Sequence, residues 1–377
     1  MPSASASRDF DPATARRLDA TITRTLQSTG APGVIVGLWD PSHSYVRAFG
    51  VADKVTGAPM RTDSYMRIGS ETKTFIVTAV LQLVDDGKIG LDDPISRYVP
   101  GVPEGDRITL RQLARMQSGL FDYATDERFQ NDFIRDPQRS FTPEQLLQYA
   151  LPHPLVFQPG TSWQYSNTNA VLLGLVVQKV TGAPVQDYLQ QKVLTPLGLA
   201  HTSFPSTNAF PDPHPQGYTK QTLDGKEAVA TDWNPSWAWA AGAMISNLGD
   251  LHTWAPAPAL ATGHLLKPET QAQRLQTVTP PGAPPDSGYG LGVFDIAGWV
   301  GHNGSLPGYQ SLTLYLPAEQ TSMVVLVNSD IDDQGQALST RFGQAITSVI
   351  TPRNVFTLTE TAPPPAAVPP ATTPTPR

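Results

Sequence analysis

Ile68-Gly69-Ser70-Glu71-Thr72-Lys73-Thr74, running on into Phe75-Ile76-Val77-Thr78-Ala79-Val80-Leu81, is the stretch that orients the rest of the chain. Its pattern predicts a strongly apolar helix over residues 71–84, closed by Asp85-Asp86-Gly87. Residues three apart share a helix face, so the Ser70 hydroxyl and the Lys73 ammonium can meet. The helix N-terminus adds free N–H groups and the positive end of its dipole. A serine hydroxyl is a poor nucleophile until a neighbour takes its proton, and a lysine can do so once burial or nearby cations lower its pKa. An isolated Ser-x-x-Lys is a weak signal that an N-cap serine and a surface lysine explain equally well. The apolar run argues against that bland reading, because it implies a buried helix with a lysine near its start. The Lys73-Thr74 ending also resembles a phosphate loop, but Thr72 stands where that loop needs glycine, so nucleotide binding is rejected.

Upstream, Leu18, Ile22 and Leu26 at helical spacing predict a helix over 12–26, stopped by Gly30-Ala31-Pro32-Gly33. Two strand-like runs follow at 34–39 and 44–51, split by Asp40-Pro41-Ser42, and a third at 65–68 leads into Gly69-Ser70. Downstream, residues 91–264 read as helix and loop, with helices at 110–116, 143–151, 169–180 and 185–194. After Leu265 strands return at 289–296, 298–301, 309–316 and 322–327, and a last helix covers about 334–350. This succession predicts an α+β domain interrupted by a helical insertion. The expected division is a catalytic domain over 8–355, its α/β part at about 8–90 and 265–355 and its helical part at about 91–264. Residues 361–377, mostly Pro, Ala and Thr, predict a disordered tail.

Composition narrows the function. The chain has 377 residues, 40% hydrophobic, with a net charge of -7. That acidic balance argues against a nucleic-acid partner. The absence of cysteine removes thiolate chemistry and disulfides. No apolar run reaches the ~18 residues of a transmembrane helix, and the first residues lack the pattern of a signal peptide. The seven histidines are scattered with no metal-ligand spacing, so neither a metal nor an organic cofactor is expected.

Two further motifs stand out. Tyr165-Ser166-Asn167 precedes the helix predicted at 169–180. Its phenol could relay a proton, and Asn167 could hydrogen-bond a substrate amide. His302-Asn303-Gly304 follows the run 298–301, where a strand edge would line a cleft. There the N–H of Ser305 would join the N–H of Ser70 as a two-donor oxyanion hole.

Together, Ser-x-x-Lys, Tyr-x-Asn and His-x-Gly, in that order, make the chain resemble the serine D-alanyl-D-alanine carboxypeptidase and class C β-lactamase-like family of penicillin-recognising hydrolases. Gln117-Ser118-Gly119-Leu120-Phe121-Asp122-Tyr123, Ala241-Gly242-Ala243 and Gly288-Tyr289-Gly290-Leu291-Gly292 extend the likeness over roughly residues 14–350. The resemblance implies a β-lactamase/transpeptidase-like α+β fold, an antiparallel sheet flanked by helices plus a mostly helical domain, with the cleft between them. It implies an acyl-enzyme on Ser70, with Lys73 and Tyr165 handling protons and His302 assisting. Asn167, Gly304, Ser305, Phe129 and Trp237 would bind the substrate. D-Ala-type peptides, β-lactams, esters or amides would be the substrates, and the location would be secreted or periplasmic. One departure bears on substrate. Those carboxypeptidases carry an arginine for the terminal carboxylate after the Gly-Tyr-Gly-Leu-Gly strand, where this chain has Phe294 and then Asp295. Phenylalanine offers no paired hydrogen bonds and an aspartate repels a carboxylate. Acyl donors without a free carboxylate are therefore expected: esters, amides or D-amino-acid amides. A β-lactamase, or a penicillin-binding sensor without turnover, is the alternative.

Overall fold

The computed structural model describes residues 8–258 and 265–358, so the tail expected at 361–377 lies outside the described residues. An eight-stranded sheet is assembled from both ends of the chain. Its strands are β1 (Arg8–Asp9), β2 (Gly33–Trp39), β3 (His43–Gly50), β4 (Ser287–Tyr289), β5 (Phe294–Ile296), β6 (Trp299–Leu306), β7 (Tyr309–Leu316) and β8 (Thr321–Val327). Their spatial order is β1-β3-β2-β8-β7-β6-β5-β4. Every pairing is antiparallel except that of β1, which runs parallel to β3 and makes the sheet mixed. This edge forms because the N–H groups of Arg8 and Phe10 reach the Ser42 and Ser44 carbonyls.

Four helices position the rest: α1 (Pro12–Thr29), α2 (Thr72–Asp85), α3 (Asn167–Thr181) and α4 (Leu338–Ile350). Asp11 starts α1 by accepting from the N–H groups of Ala13 and Thr14, with Pro12 in the first turn. Val34, Val36, Leu38, Met323 and Val325 pack on one face of the sheet with Leu18 and Ile22 of α1 and Phe342 and Ile346 of α4. Ile35, Val324 and Leu326 point the other way, into a second layer with Phe75, Ile76 and Val80 of α2. The alternation follows from the two-residue period of a strand, and each buried Leu, Ile or Phe contributes roughly 1.5–3 kcal/mol. Because both faces of β8 are covered, all seven of its residues are buried and residues 323–327 read as an unbroken apolar run.

Several expectations change. The single strand expected at 289–296 is two, β4 and β5: between them the Leu291 and Gly292 N–H groups leave the ladder for the Arg274 and Ala114 carbonyls. β6 runs through His302-Asn303-Gly304-Ser305 instead of stopping at Gly301, because each of those residues has a partner on β7. Residues 65–67 pair with Ile245–Asn247, a contact no local pattern announced. The helix expected at 185–194 is α-helical over Val185–Leu189 and a π-helix over Gln190–Leu194. Among the described residues no helix is long and apolar enough to cross a membrane.

Candidate active site

Ser70 sits in a single 3-10 turn, Gly69–Glu71, that feeds directly into α2. The turn is held against β6 at backbone contact. A Cβ on Gly304 would lie 1.9 Å from the Ile68 carbonyl oxygen, and one on Gly69, whose φ is +50°, would lie 2.6 Å from the Ser305 nitrogen. Ser311 Oγ donates to the same Ile68 carbonyl at 2.9 Å. The Ser305 amide is thereby brought beside the Ser70 turn, where two main-chain N–H groups can face one oxygen.

Lys73 is 1% exposed on a helix that is buried nearly all round. Its Nζ lies 3.0 Å from Ser70 Oγ, 2.8 Å from Asn167 Oδ1 and 2.7 Å from the Ala241 carbonyl oxygen. Burial pushes its pKa down to about 7, against a smaller upward pull from Asp122. In the neutral amine, two N–H bonds satisfy Asn167 Oδ1 and the Ala241 carbonyl, and the lone pair is left for the Ser70 proton. Asn167 is held in this sense by Asp122, whose Oδ2 accepts from Asn167 Nδ2 at 3.0 Å. Asn167 thus belongs to the cradle of Lys73, and the second N–H of its half-buried amide is left for the substrate amide it was expected to bind.

Tyr165 places its ring over Lys73, with Nζ 4.7 Å from the ring centroid. Its hydroxyl is buried without a hydrogen bond of normal geometry, although Ser70 is near enough to draw its pKa down slightly. Burial dominates and holds the phenol well above its ordinary range, so it stays protonated. His302 is buried at 2% exposure. Its Nδ1 lies 2.6 Å from the Asn303 carbonyl oxygen and must carry the proton, so Nε2 accepts from the Tyr289 hydroxyl at 3.1 Å. Burial, together with the Lys73 charge, pushes its pKa down to about 3. A neutral ring whose one N–H faces the Asn303 carbonyl presents an acceptor at Nε2.

A cleft of about 350 Å3 opens over Ser70, with Trp163, Tyr165, Tyr289 and Phe294 on its walls and Gly304 and Ser305 at its edge. Phe129 and Trp237 are not among its lining residues. Phe129 is 3% exposed in an aromatic cluster with Tyr123, Phe133 and Trp237, so it is core packing and its expected place on the cleft wall is corrected; Trp237, at the edge of that cluster, is partly exposed. Phe294 does face the cleft, packed on His302 at 5.1 Å between ring centroids. Its neighbour Asp295 points to the opposite side of the strand and accepts from the Gly298 N–H, so it does not repel a ligand in the cleft.

Sequence reasoning missed three participants. Asp122 and the Ala241 carbonyl lie in blocks already singled out, Phe121-Asp122-Tyr123 and Ala241-Gly242-Ala243, but nothing in either block marks a lysine cradle. Glu71, between Ser70 and Lys73, is 1% exposed; burial pushes its carboxyl up to about 8, only partly opposed by the Ser311 and Thr313 hydroxyls. Among the described residues no group of three or more His, Asp or Glu could hold a metal ion.

Known proteins resemble this chain in sequence and fold. The chain is 32% identical to a D-stereospecific amidohydrolase from Streptomyces sp., with a TM-score of 0.79 over 90% of this chain and 98% of that one. It is 27% identical to the D-amino acid amidase from Ochrobactrum anthropi SV3, with a TM-score of 0.76 over 90% and 96% of the two chains. It is 28% identical to the protein PbpX of Bacillus subtilis (strain 168) over 75% of this chain, and spans about two thirds of the length of the curated relatives it matches. The Beta-lactamase family model matches residues 18–347. With that match over most of its length, this chain belongs to the Beta-lactamase family of serine hydrolases.

Proposed function

We propose that the protein forms an acyl-enzyme on Ser70 and hydrolyses esters and amides, D-amino-acid amides among them, in preference to peptides ending in a free carboxylate. The observation that carries this reading is the buried Lys73 amine 3.0 Å from Ser70 Oγ, with a pKa near neutrality. Lys73 takes the Ser70 proton as Ser70 attacks the carbonyl carbon. The oxyanion rests on the Ser70 and Ser305 N–H groups. Tyr165, still protonated, gives its proton to the leaving group and regains one from Lys73. Water then releases the acyl group. His302 and Tyr289 hold the wall of the cleft and move no proton. The substrate preference is supported by the cleft lining, which among the described residues includes Phe294 and no arginine or lysine, and by the amide-cleaving activities in the names of the two structural relatives. An extracytoplasmic location goes with this reading and is tested by cell fractionation.

Wild type and Ser70→Ala would be incubated with a fluorescent penicillin, a short-chain chromogenic ester, and a D-Ala-D-Ala peptide beside its C-terminal amide. Label and product that vanish in Ser70→Ala support the acyl-enzyme, and turnover that survives the substitution overturns it. Strong preference for the free-acid peptide would overturn the substrate reading alone. Rapid penicillin turnover would favour a β-lactamase, which shares the acylation step and differs in deacylation.

A further inference from the structure

The walls of the cleft are almost free of charge. Among the described residues that line it, Asp332 is the one ionised side chain, since His302 is held neutral. Its position is built from the strand that carries Ser305. Gln310 lies directly across the β6–β7 ladder from Ser305. The Gln310 side chain is 1% exposed and fixed at both ends: its Oε1 accepts from the Ser339 N–H at 3.1 Å, and its Nε2 donates to Asp332 Oδ1 at 3.1 Å. The nearby cation Arg341 is taken by Asp333, at 3.2 Å, and Asp332 has no cationic partner among the described residues. An aspartate held in place by Gln310 and without a counterion, at the exposed rim of a cleft that otherwise has only neutral walls, is arranged to receive a cation.

We propose that Asp332 receives a primary ammonium group on the substrate, set about a side chain's length from the scissile carbonyl. The distance follows from the register. Ser305 supplies the proposed oxyanion N–H, Gln310 is one strand away at about 4.8 Å, and Asp332 is reached only beyond the end of the Gln310 side chain. An α-ammonium, one bond from the carbon next to the carbonyl, does not extend so far. A lysine- or ornithine-like side chain, or a diamine leaving group, does. This inference rests on the acyl-transfer reading of Ser70 for where the carbonyl sits, and its test needs no turnover.

Two matched pairs of ligands would be titrated into the Ser70→Ala protein by calorimetry. The first pair, D-lysine amide and D-norleucine amide, differs by an ammonium on the acyl side. The second, the D-alanine amides of 1,5-diaminopentane and pentylamine, differs by one on the leaving-group side. The expected result is that at least one ligand with the extra ammonium binds roughly fivefold more tightly than its matched partner at low salt, and that the ratio shrinks as salt is raised. Asp332→Asn in the same background should bring that ratio close to one. Asparagine keeps an oxygen for Gln310 Nε2 at this exposed position, and Asp332→Ala is the second variant. Equal binding within both pairs, or a preference that survives Asp332→Asn and Asp332→Ala, overturns the assignment. Turnover that persists in Ser70→Ala would instead overturn the catalytic reading and leave the ammonium site to be judged by these binding ratios.

Discussion

Gly304→Ala is the substitution that tests most directly how the oxyanion donors are set. The added Cβ would lie 1.9 Å from the Ile68 carbonyl oxygen and 2.6 Å from Ser311 Oγ. Serine can turn aside, but the carbonyl belongs to the backbone immediately before the Ser70 turn. The strand must therefore retreat from the turn by roughly 1 Å or more to restore van der Waals distance. That movement carries Ser305 with it and spreads the two N–H groups that face the oxyanion. Losing one such donor costs about 10²–10³ in rate, and a 1 Å misplacement costs about 10². The expected kcat/KM for a chromogenic ester is lower by a factor of about 10²–10³. The overpacking itself costs about 1–3 kcal/mol, which in a chain of this size lowers the melting temperature by roughly 2–6 °C. The assay pairs ester kinetics with a far-UV circular dichroism melt, so that a folded but slow enzyme is told from an unfolded one. Ser305→Ala is the control: it keeps the main-chain N–H and should cost less than about fivefold. A folded Gly304→Ala enzyme within about threefold of wild type would refute the view that this close approach sets the oxyanion site.

Four further outcomes are expected. With Lys73 as base at a pKa of about 7, kcat/KM for a neutral ester should fall about tenfold per pH unit below neutrality, and an acid limb near pH 10 would exclude it. The same burial destabilises the charged lysine, so Lys73→Met should melt above wild type at pH 6. The gap should narrow between about pH 7 and 10, where the unfolded chain keeps a proton that the folded one has lost. Glu71 has the opposite slope: its folded pKa of about 8 lies above the unfolded value, so its contribution is whole below about pH 4.5 and is lost as pH rises through 8. Glu71→Gln should melt with wild type at pH 4 and above it at pH 8, and a gap independent of pH would show that Glu71 does not titrate in the fold. Asn167→Leu removes an acceptor from Lys73 and should lower kcat/KM by roughly 10–100-fold; a rate near wild type would show that Asn167 does not orient the base.

The local elements were legible because they follow from periodicity. The spacing of Leu18, Ile22 and Leu26 gives α1, the unbroken run around Val324 and Val325 gives a doubly covered strand, and the three-residue step from Ser70 to Lys73 puts both on one helix face. The succession of these elements gave the α+β class, and family likeness then gave the motifs their expected roles and placed the cleft. What neighbours in sequence could not reveal were the contacts between distant segments. The break between β4 and β5 comes from carbonyls of Arg274 and Ala114, and the continuation of β6 past Gly301 comes from its pairing with β7. Roles changed for the same reason. Asn167 gained a second role once Asp122, 45 residues away, was seen to hold it toward Lys73. His302 could be read as an acid until burial and the Tyr289 hydroxyl were seen to leave it neutral. The residue types near Ser70 are a property of the sequence. The proton state of Lys73 belongs to the tertiary structure, because desolvation and its partners Asn167 and Ala241, 94 and 168 residues away, exist only when the chain has closed around it.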